Sequence, residues 1–197
     1  KYNKGFDSIR RERVERLKKL GLMDPKWKLT PTIGKWDEVE NKEWEARCME
    51  VYAAMIDSMD QGIGRIIEQL KKNGQFENTL IFFLQDNGAC AERFGREPLK
   101  KNPPPKDLKP MGPNQLQTKA TPPMQTRDGR WAKSGTAIMA GPPDSFVGYG
   151  EHWANVANTP FREYKHWVHE GGIATPLIAH WPSGISKQRN GKLENTA

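Results

Sequence analysis

The stretch T-L-I-F-F-L-Q-D-N-G, Thr79 to Gly88, decides how the rest of the chain is read. Thr79 to Leu84 is a short apolar run rich in aromatic and β-branched side chains, which predicts a strand buried on both faces rather than a helix. Gln85, Asp86, Asn87 and Gly88 follow where such a strand leaves its sheet, and open α/β sheets gather ligand sites outside the carboxyl ends of their strands. The carboxylate of Asp86 and the amide of Asn87 offer oxygen, the ligand atom that hard cations such as Ca²⁺ and Mg²⁺ require. Asp-Asn-Gly is also ordinary turn chemistry that needs no metal. Both readings stand on this stretch alone.

Upstream, a helix is predicted from about Trp44 to Asn73. Val51, Tyr52, Met55, Ile56, Met59, Ile63, Ile66, Ile67 and Leu70 hold one stripe, and Asn73-Gly74 supplies a stop. Gly62 and Gly64 inside it each cost about 1 kcal/mol relative to Ala, which predicts close packing against a neighbouring element. Asp60 reads as a polar residue on the free face. Phe6, Ile9, Val14, Leu17 and Leu20 mark an earlier surface helix that ends at Gly21. Leu22 to Asn41 is irregular and predicted to be pinned by Trp27 and Trp36. Helix, short loop and buried strand in succession indicate an α/β layer architecture.

Downstream, the pattern dissolves between Ala91 and Gly150 into Pro, Lys, Gly and Gln, with prolines at 103–105, 122–123 and 142–143. An irregular segment of this length inside a domain is usually functional or disordered. A short strand is predicted at Thr136 to Ala140. Pro176 to Trp181 reads as a second buried strand, introduced by a turn on Gly171 and Gly172. His166 and His169 have a metal-compatible spacing on a helix, but no third ligand accompanies them, and neutral surface histidines are the simpler reading.

The 197 residues suffice for one sizeable core and demand no second domain. A hydrophobic content of 36% and a mean hydropathy of −0.82 predict a good deal of surface loop, in keeping with 15 prolines. The formal charge of +7 does not point to nucleic acid, because the basic residues of Lys1 to Lys28 are interleaved with acids and those of Lys100 to Lys133 with prolines. Cys48 and Cys90, the only cysteines, form no CxxC or Cys/His cluster, so zinc and thiol-disulfide chemistry have no support. No apolar run has membrane-spanning length, and an opening without Met suggests a piece of a longer protein.

Two segments carry a resemblance. M-E-V-Y-A-A-M-I-D-S-M-D-Q-G-I-G-R-I-I-E-Q-L-K-K-N-G-Q-F-E-N-T-L-I-F-F-L-Q-D-N-G, Met49 to Gly88, resembles the long helix and metal-binding strand end of the sulfatases related to arylsulfatase A, within the alkaline-phosphatase superfamily. N-T-P-F-R-E-Y-K-H-W-V-H-E-G-G-I-A-T-P-L-I-A-H-W-P, Asn158 to Pro182, resembles that family's second signature, with Lys165 standing five residues before Glu170-Gly171-Gly172.

The resemblance implies an alkaline-phosphatase-like α/β domain, of which 1–197 holds the C-terminal half of the catalytic part with 91–150 as a long Pro-rich insertion. It implies that Asp86 and Asn87 ligate Ca²⁺, in preference to Mg²⁺, that Lys165 binds the substrate's sulfate, and that Glu170, Gly171 and Gly172 shape a turn. Such sulfatases use a formylglycine made from the Cys or Ser of a C-x-P-S-R-type motif. Neither Cys48, followed by Met49 and Glu50, nor Cys90, followed by Ala91 and Glu92, stands in that motif, so no catalytic nucleophile is expected in these residues. The implied function is hydrolysis of sulfate esters on a sulfated small molecule or glycan by a longer periplasmic or secreted protein, the segment alone being inactive. A phosphoester or phosphonate hydrolase of the same superfamily, and a non-catalytic sulfatase-like glycan-binding protein, are the alternatives. Oligomeric state and the particular ester are not legible.

Overall fold

A computed structural model describes residues 1–98, 108–119, 122 and 124–193. Helix α1 spans Phe6–Lys19, with Phe6, Ile9 and Val14 buried as the spacing predicts, and Leu20 left exposed beyond its end. Helix α2 runs Lys42–Lys72. Its start is set by Asn41, whose side chain accepts from the Trp44 amide at 3.0 Å, with Glu43 and Glu45 in the first turn and Lys71 and Lys72 in the last complementing the helix dipole. Strand β1 is Ile81–Leu84, helix α3 is Gly150–Ala157, the single turn α4 is Glu170–Ile173, and strand β2 is Leu177–His180. Helix α3 is not apparent in the sequence: at eight residues it is too short to show a period. Among the described residues no helix is long and apolar enough to cross a membrane.

The core lies where α1, α3 and the first turns of α2 meet. Phe6, Ile9, Met49, Trp153 and Val156 form it, with Tyr2, Trp36, Tyr52 and Tyr149 packed around. The rings meet edge to face, Phe6 against Trp153 at 4.7 Å and 76°, and against Trp36 at 5.0 Å and 89°, the geometry that aromatic quadrupoles favour. Trp36 thus pins the irregular 22–41 segment as expected, whereas Trp27 is half exposed and takes no part. The second anchor of that segment is Arg10. It is fully buried on α1 and donates to the Thr30 carbonyl at 2.7 Å, the Thr30 hydroxyl at 2.8 Å and the Phe161 carbonyl at 3.3 Å.

The segment between Ala91 and Gly150 has no named helix or strand among its described residues, only isolated bridges pairing Gln125 with Trp131 and Lys133 with Ser145. The prolines at 103–105 and Pro123 lie outside the described residues. Thr136 to Ala140 is a turn rather than a strand: Gly135, at φ 100°, lets the Ile138 amide return to its own carbonyl at 3.0 Å. The segment is moored to α2. Trp44 Nε1 donates to the Ile138 carbonyl at 2.8 Å, and the Arg96 guanidinium lies 4.6 Å from the centre of the Trp44 ring while pairing with Glu45.

Strands β1 and β2 pair antiparallel, Ile81 opposite His180 and Leu84 opposite Leu177, as a two-stranded sheet. Both were expected to be buried, and neither is. Phe82 and Leu84 are each 54% exposed, and β2 is exposed along its length, because no described layer covers either face. The apolar stripe of α2 departs from expectation in the same way. Met55, Ile56, Met59 and Ile66 are exposed, and an added Cβ at Gly64 would meet nothing within 4 Å, so no described element packs against the helix there.

Candidate functional site

The turn Gln85 to Gly88 and the segment Asn158 to Pro182, both singled out in the sequence, are joined by a ladder of hydrogen bonds that continues the β1–β2 pairing. The Thr175 hydroxyl donates to the Gln85 carbonyl at 2.8 Å, the Gly88 amide to the Gly172 carbonyl at 2.9 Å, and the Lys165 amide to the Ala89 carbonyl at 3.1 Å. Gly88 is required by this approach: a Cβ there would strike the Gly171 carbonyl. Cβ atoms at Gly171 and Gly172 would strike the carbonyls of Arg162 and Trp167, which gives the Gly-Gly pair its steric reason.

Asn158, at the end of α3, is the clamp of this arrangement. Its side-chain oxygen accepts from the Ala89 amide at 3.2 Å, while its amide donates to the carbonyls of Gly171 at 2.7 Å and Glu163 at 3.0 Å. One side chain thereby fixes the Asp-Asn turn, the lysine loop and the Gly-Gly turn together. Sequence reasoning assigned it no role, since an Asn before Thr-Pro looks like any loop residue.

Asp86 and Asn87 sit in the bend after β1, Asp86 exposed and Asn87 half-buried. Neither side chain bonds to another described residue, so their oxygens are free to face a cation. Among the described residues no group of three His, Cys, Asp or Glu side chains converges to hold a metal ion. Two oxygen donors are fewer than the roughly six to eight that Ca²⁺ takes, so this pair fits such an ion as part of a larger set. His166 and His169 do not join it. His169 is committed on both nitrogens, accepting from the Gly171 amide at 3.1 Å and facing Glu163 at 2.7 Å, and His166 is exposed on a loop at φ 88° rather than on a helix.

Lys165 Nζ lies 2.5 Å from Glu92 Oε1, with the two side chains 27% and 25% exposed. His166 Nε2 is 3.6 Å from the same oxygen, and Cys90 Sγ donates to the other carboxylate oxygen. Burial pushes the Glu92 carboxyl up, but the hydrogen bonds from Cys90 and Lys165 outweigh it and hold the group at about 2. The hydrogen bond to Glu92 in turn raises the Lys165 ammonium above its ordinary value. Cys90 stays a thiol, raised by burial and by Glu92, and burial lifts the Cys48 thiol to about 12. Glu92 also lines a cavity of ≈ 520 Å³ with Arg93, Phe94, Pro122, Ser134 and Phe146, so this cavity opens beside the lysine.

Helices packed against one another and two short strands whose polar ends build a single loop site define a mixed helix-and-strand protein. The Sulfatase family model matches residues 26–196, and the chain belongs to the sulfatase family. An uncharacterized sulfatase of Schizosaccharomyces pombe is 35% identical over 188 residues, covering 92% of this chain and 30% of that protein. The arylsulfatase of Klebsiella aerogenes is 34% identical over 208 aligned positions, covering 98% of this chain and 36% of that enzyme. An uncharacterized sulfatase of Escherichia coli is 58% identical over 41 residues, 21% of this chain and 7% of that protein. The chain spans about a third of the length of the first two relatives.

Proposed function

We propose that these residues are the C-terminal half of the catalytic domain of a sulfuric ester hydrolase of arylsulfatase type, built on an alkaline-phosphatase-like α/β fold. The observation that carries the reading is the backbone bond from Lys165 to Ala89, which sets the only lysine of the second signature against the turn that holds Asp86 and Asn87.

In this reading Lys165 Nζ donates to the non-bridging oxygens of the sulfuryl group and offsets the charge that shifts as the ester S–O bond breaks. An ammonium has three donors, so the bond to Glu92 leaves two for substrate. Asp86 and Asn87 supply two of the oxygen ligands of a Ca²⁺ ion, in preference to Mg²⁺, and Ca²⁺ when bound fixes and polarises anionic oxygens nearby. The nucleophile, a formylglycine, lies outside these residues, so the 197-residue chain alone turns over no ester. The organic part of the substrate, a sulfated small molecule or glycan fragment, enters the cavity between Phe94 and Phe146. A periplasmic or secreted compartment suits a Ca²⁺-dependent protein of this kind.

The test is turnover of nitrophenyl sulfate by the full-length protein, as wild type, Lys165→Ala and Asp86→Ala, with chelator and Ca²⁺ add-back. We expect wild-type activity that chelator removes and Ca²⁺ restores, with losses of at least about a hundredfold in either variant. A wild type inert towards sulfate esters, or a Lys165→Ala variant as active as wild type, overturns the assignment.

A further inference from the structure

The geometry points to Glu92 as the residue that makes this site select monoanionic esters over dianionic ones. The inference rests on the reading above in one respect, that Lys165 holds the anionic group of the substrate.

Glu92 is a carboxylate built into the place where an anion is to bind. It shares Lys165 at 2.5 Å, it faces His166 at 3.6 Å, and it forms one wall of the cavity beside them. Its surroundings keep it ionised, since Cys90 donates to its second oxygen while Lys165 donates to its first. Among the described residues the other charges on this wall are Arg93 and Glu97, which lie 3.9 Å apart and offset each other. The lysine is therefore not a bare cation awaiting any anion. It is half of an ion pair, and its capacity to neutralise further charge is reduced by the partner it already has.

Sulfate and phosphate esters differ in this respect more than in shape. A sulfate monoester is a monoanion at all ordinary pH, because its remaining acid is strong. A phosphate monoester loses a second proton near about pH 6 and is a dianion above it. The added charge falls on oxygens that must approach Lys165, and hence Glu92, within a few ångströms. At that range, in surroundings more polarisable than a dry interior, repulsion by one carboxylate changes relative binding by about tenfold or more. A site that needed only to grip a tetrahedral anion is better served by a lysine without this neighbour.

The experiment compares three esters of one nitrophenol on the full-length protein at about pH 8, where the sulfate and the methylphosphonate are monoanions and the phosphate is a dianion. The enzymes are wild type, Glu92→Gln and Glu92→Asp. We expect Glu92→Gln to raise kcat/KM for the phosphate relative to the methylphosphonate by about tenfold, and Glu92→Asp, which keeps the charge, to leave that ratio within about twofold of wild type. A ratio unmoved in Glu92→Gln, or one that moves equally in both variants, overturns the inference. If the variants do not fold, competitive inhibition of wild-type sulfate turnover by phenyl phosphate and by phenyl methylphosphonate decides: the dianion must bind more weakly, and equal or tighter binding overturns it. A wild type inactive on the sulfate refutes the proposed function instead, which keeps the two failures distinct.

Discussion

Replacing Asn158 by Ala removes three hydrogen bonds at once, from the Ala89 amide and to the Gly171 and Glu163 carbonyls. Each contributes about 1 kcal/mol net, and a partner left without water costs about 1–3 kcal/mol instead. Asn158 is half-buried, so water reaches part of the vacated site, and a total of about 2–4 kcal/mol follows. The loss is local, because the clamp joins loops rather than core helices. Amide exchange at Ala89 should therefore quicken by about thirtyfold or more, one tenfold step per about 1.4 kcal/mol, while amides in the middle of α1 keep their wild-type rates. Asn158→Asp sharpens the test. It keeps the oxygen that accepts from Ala89 but turns a carboxylate towards two carbonyls, and should be less stable than the Ala variant. If Asn158→Ala lies within about 0.5 kcal/mol of wild type and Ala89 exchange is unchanged, the clamp is not what holds these loops.

Gly88→Ala drives a methyl group at the Gly171 carbonyl, a backbone atom that cannot swing aside, and should lower the urea midpoint by the equivalent of about 2 kcal/mol or more. Trp153→Ala empties a fully buried site and removes the bond that Trp153 Nε1 donates to the Glu45 carbonyl at 2.9 Å; we expect a loss of about 3–5 kcal/mol in denaturant unfolding. Acid should dissolve the Glu92 to Lys165 pair. The folded-state value of about 2 lies below the ordinary 4.5, so the stabilisation is complete above about pH 4.5 and lost as the pH falls towards 2. Urea midpoints of wild type and Glu92→Gln, separate at neutral pH, should converge over that window; curves that stay parallel down to about pH 2 contradict the assignment.

Helices α1 and α2 and the end of β1 were legible in the sequence because each rests on local information, whereas the short α3 was not. The α1 period of Phe6, Ile9 and Val14 and the long stripe of α2 are both read within a few turns, while the Asn41 cap ahead of the expected start was not recognised. The pairing of Leu84 with Leu177 was not legible, since nothing in either strand names its partner across the intervening loop. Contacts between distant loops were hidden for the same reason. Asp86 stood out by residue type and by its place after a strand, and Lys165 through the family resemblance, whereas Glu92 and Asn158 owe their importance to what folding brings beside them. Burial was misjudged at Phe82, Leu84 and Ile66, because apolar pattern predicts what a surface requires and not whether these residues contain the layer that supplies it.

The open β1–β2 ribbon has a consequence for how this chain behaves in solution. Two four-residue strands are at best marginally stable without further layers, and each outer edge offers unpaired amides and carbonyls to any extended segment. Phe82, Leu84, Leu177 and Ile178 sit uncovered on the same ribbon, and Met55, Ile56, Met59 and Ile66 are exposed on α2. Another strand laid on an edge, whether from elsewhere in its own polypeptide or from a second molecule, gains backbone bonds and apolar contact together. For the 197 residues studied alone, apparent stability becomes a function of concentration, rising as copies cover one another.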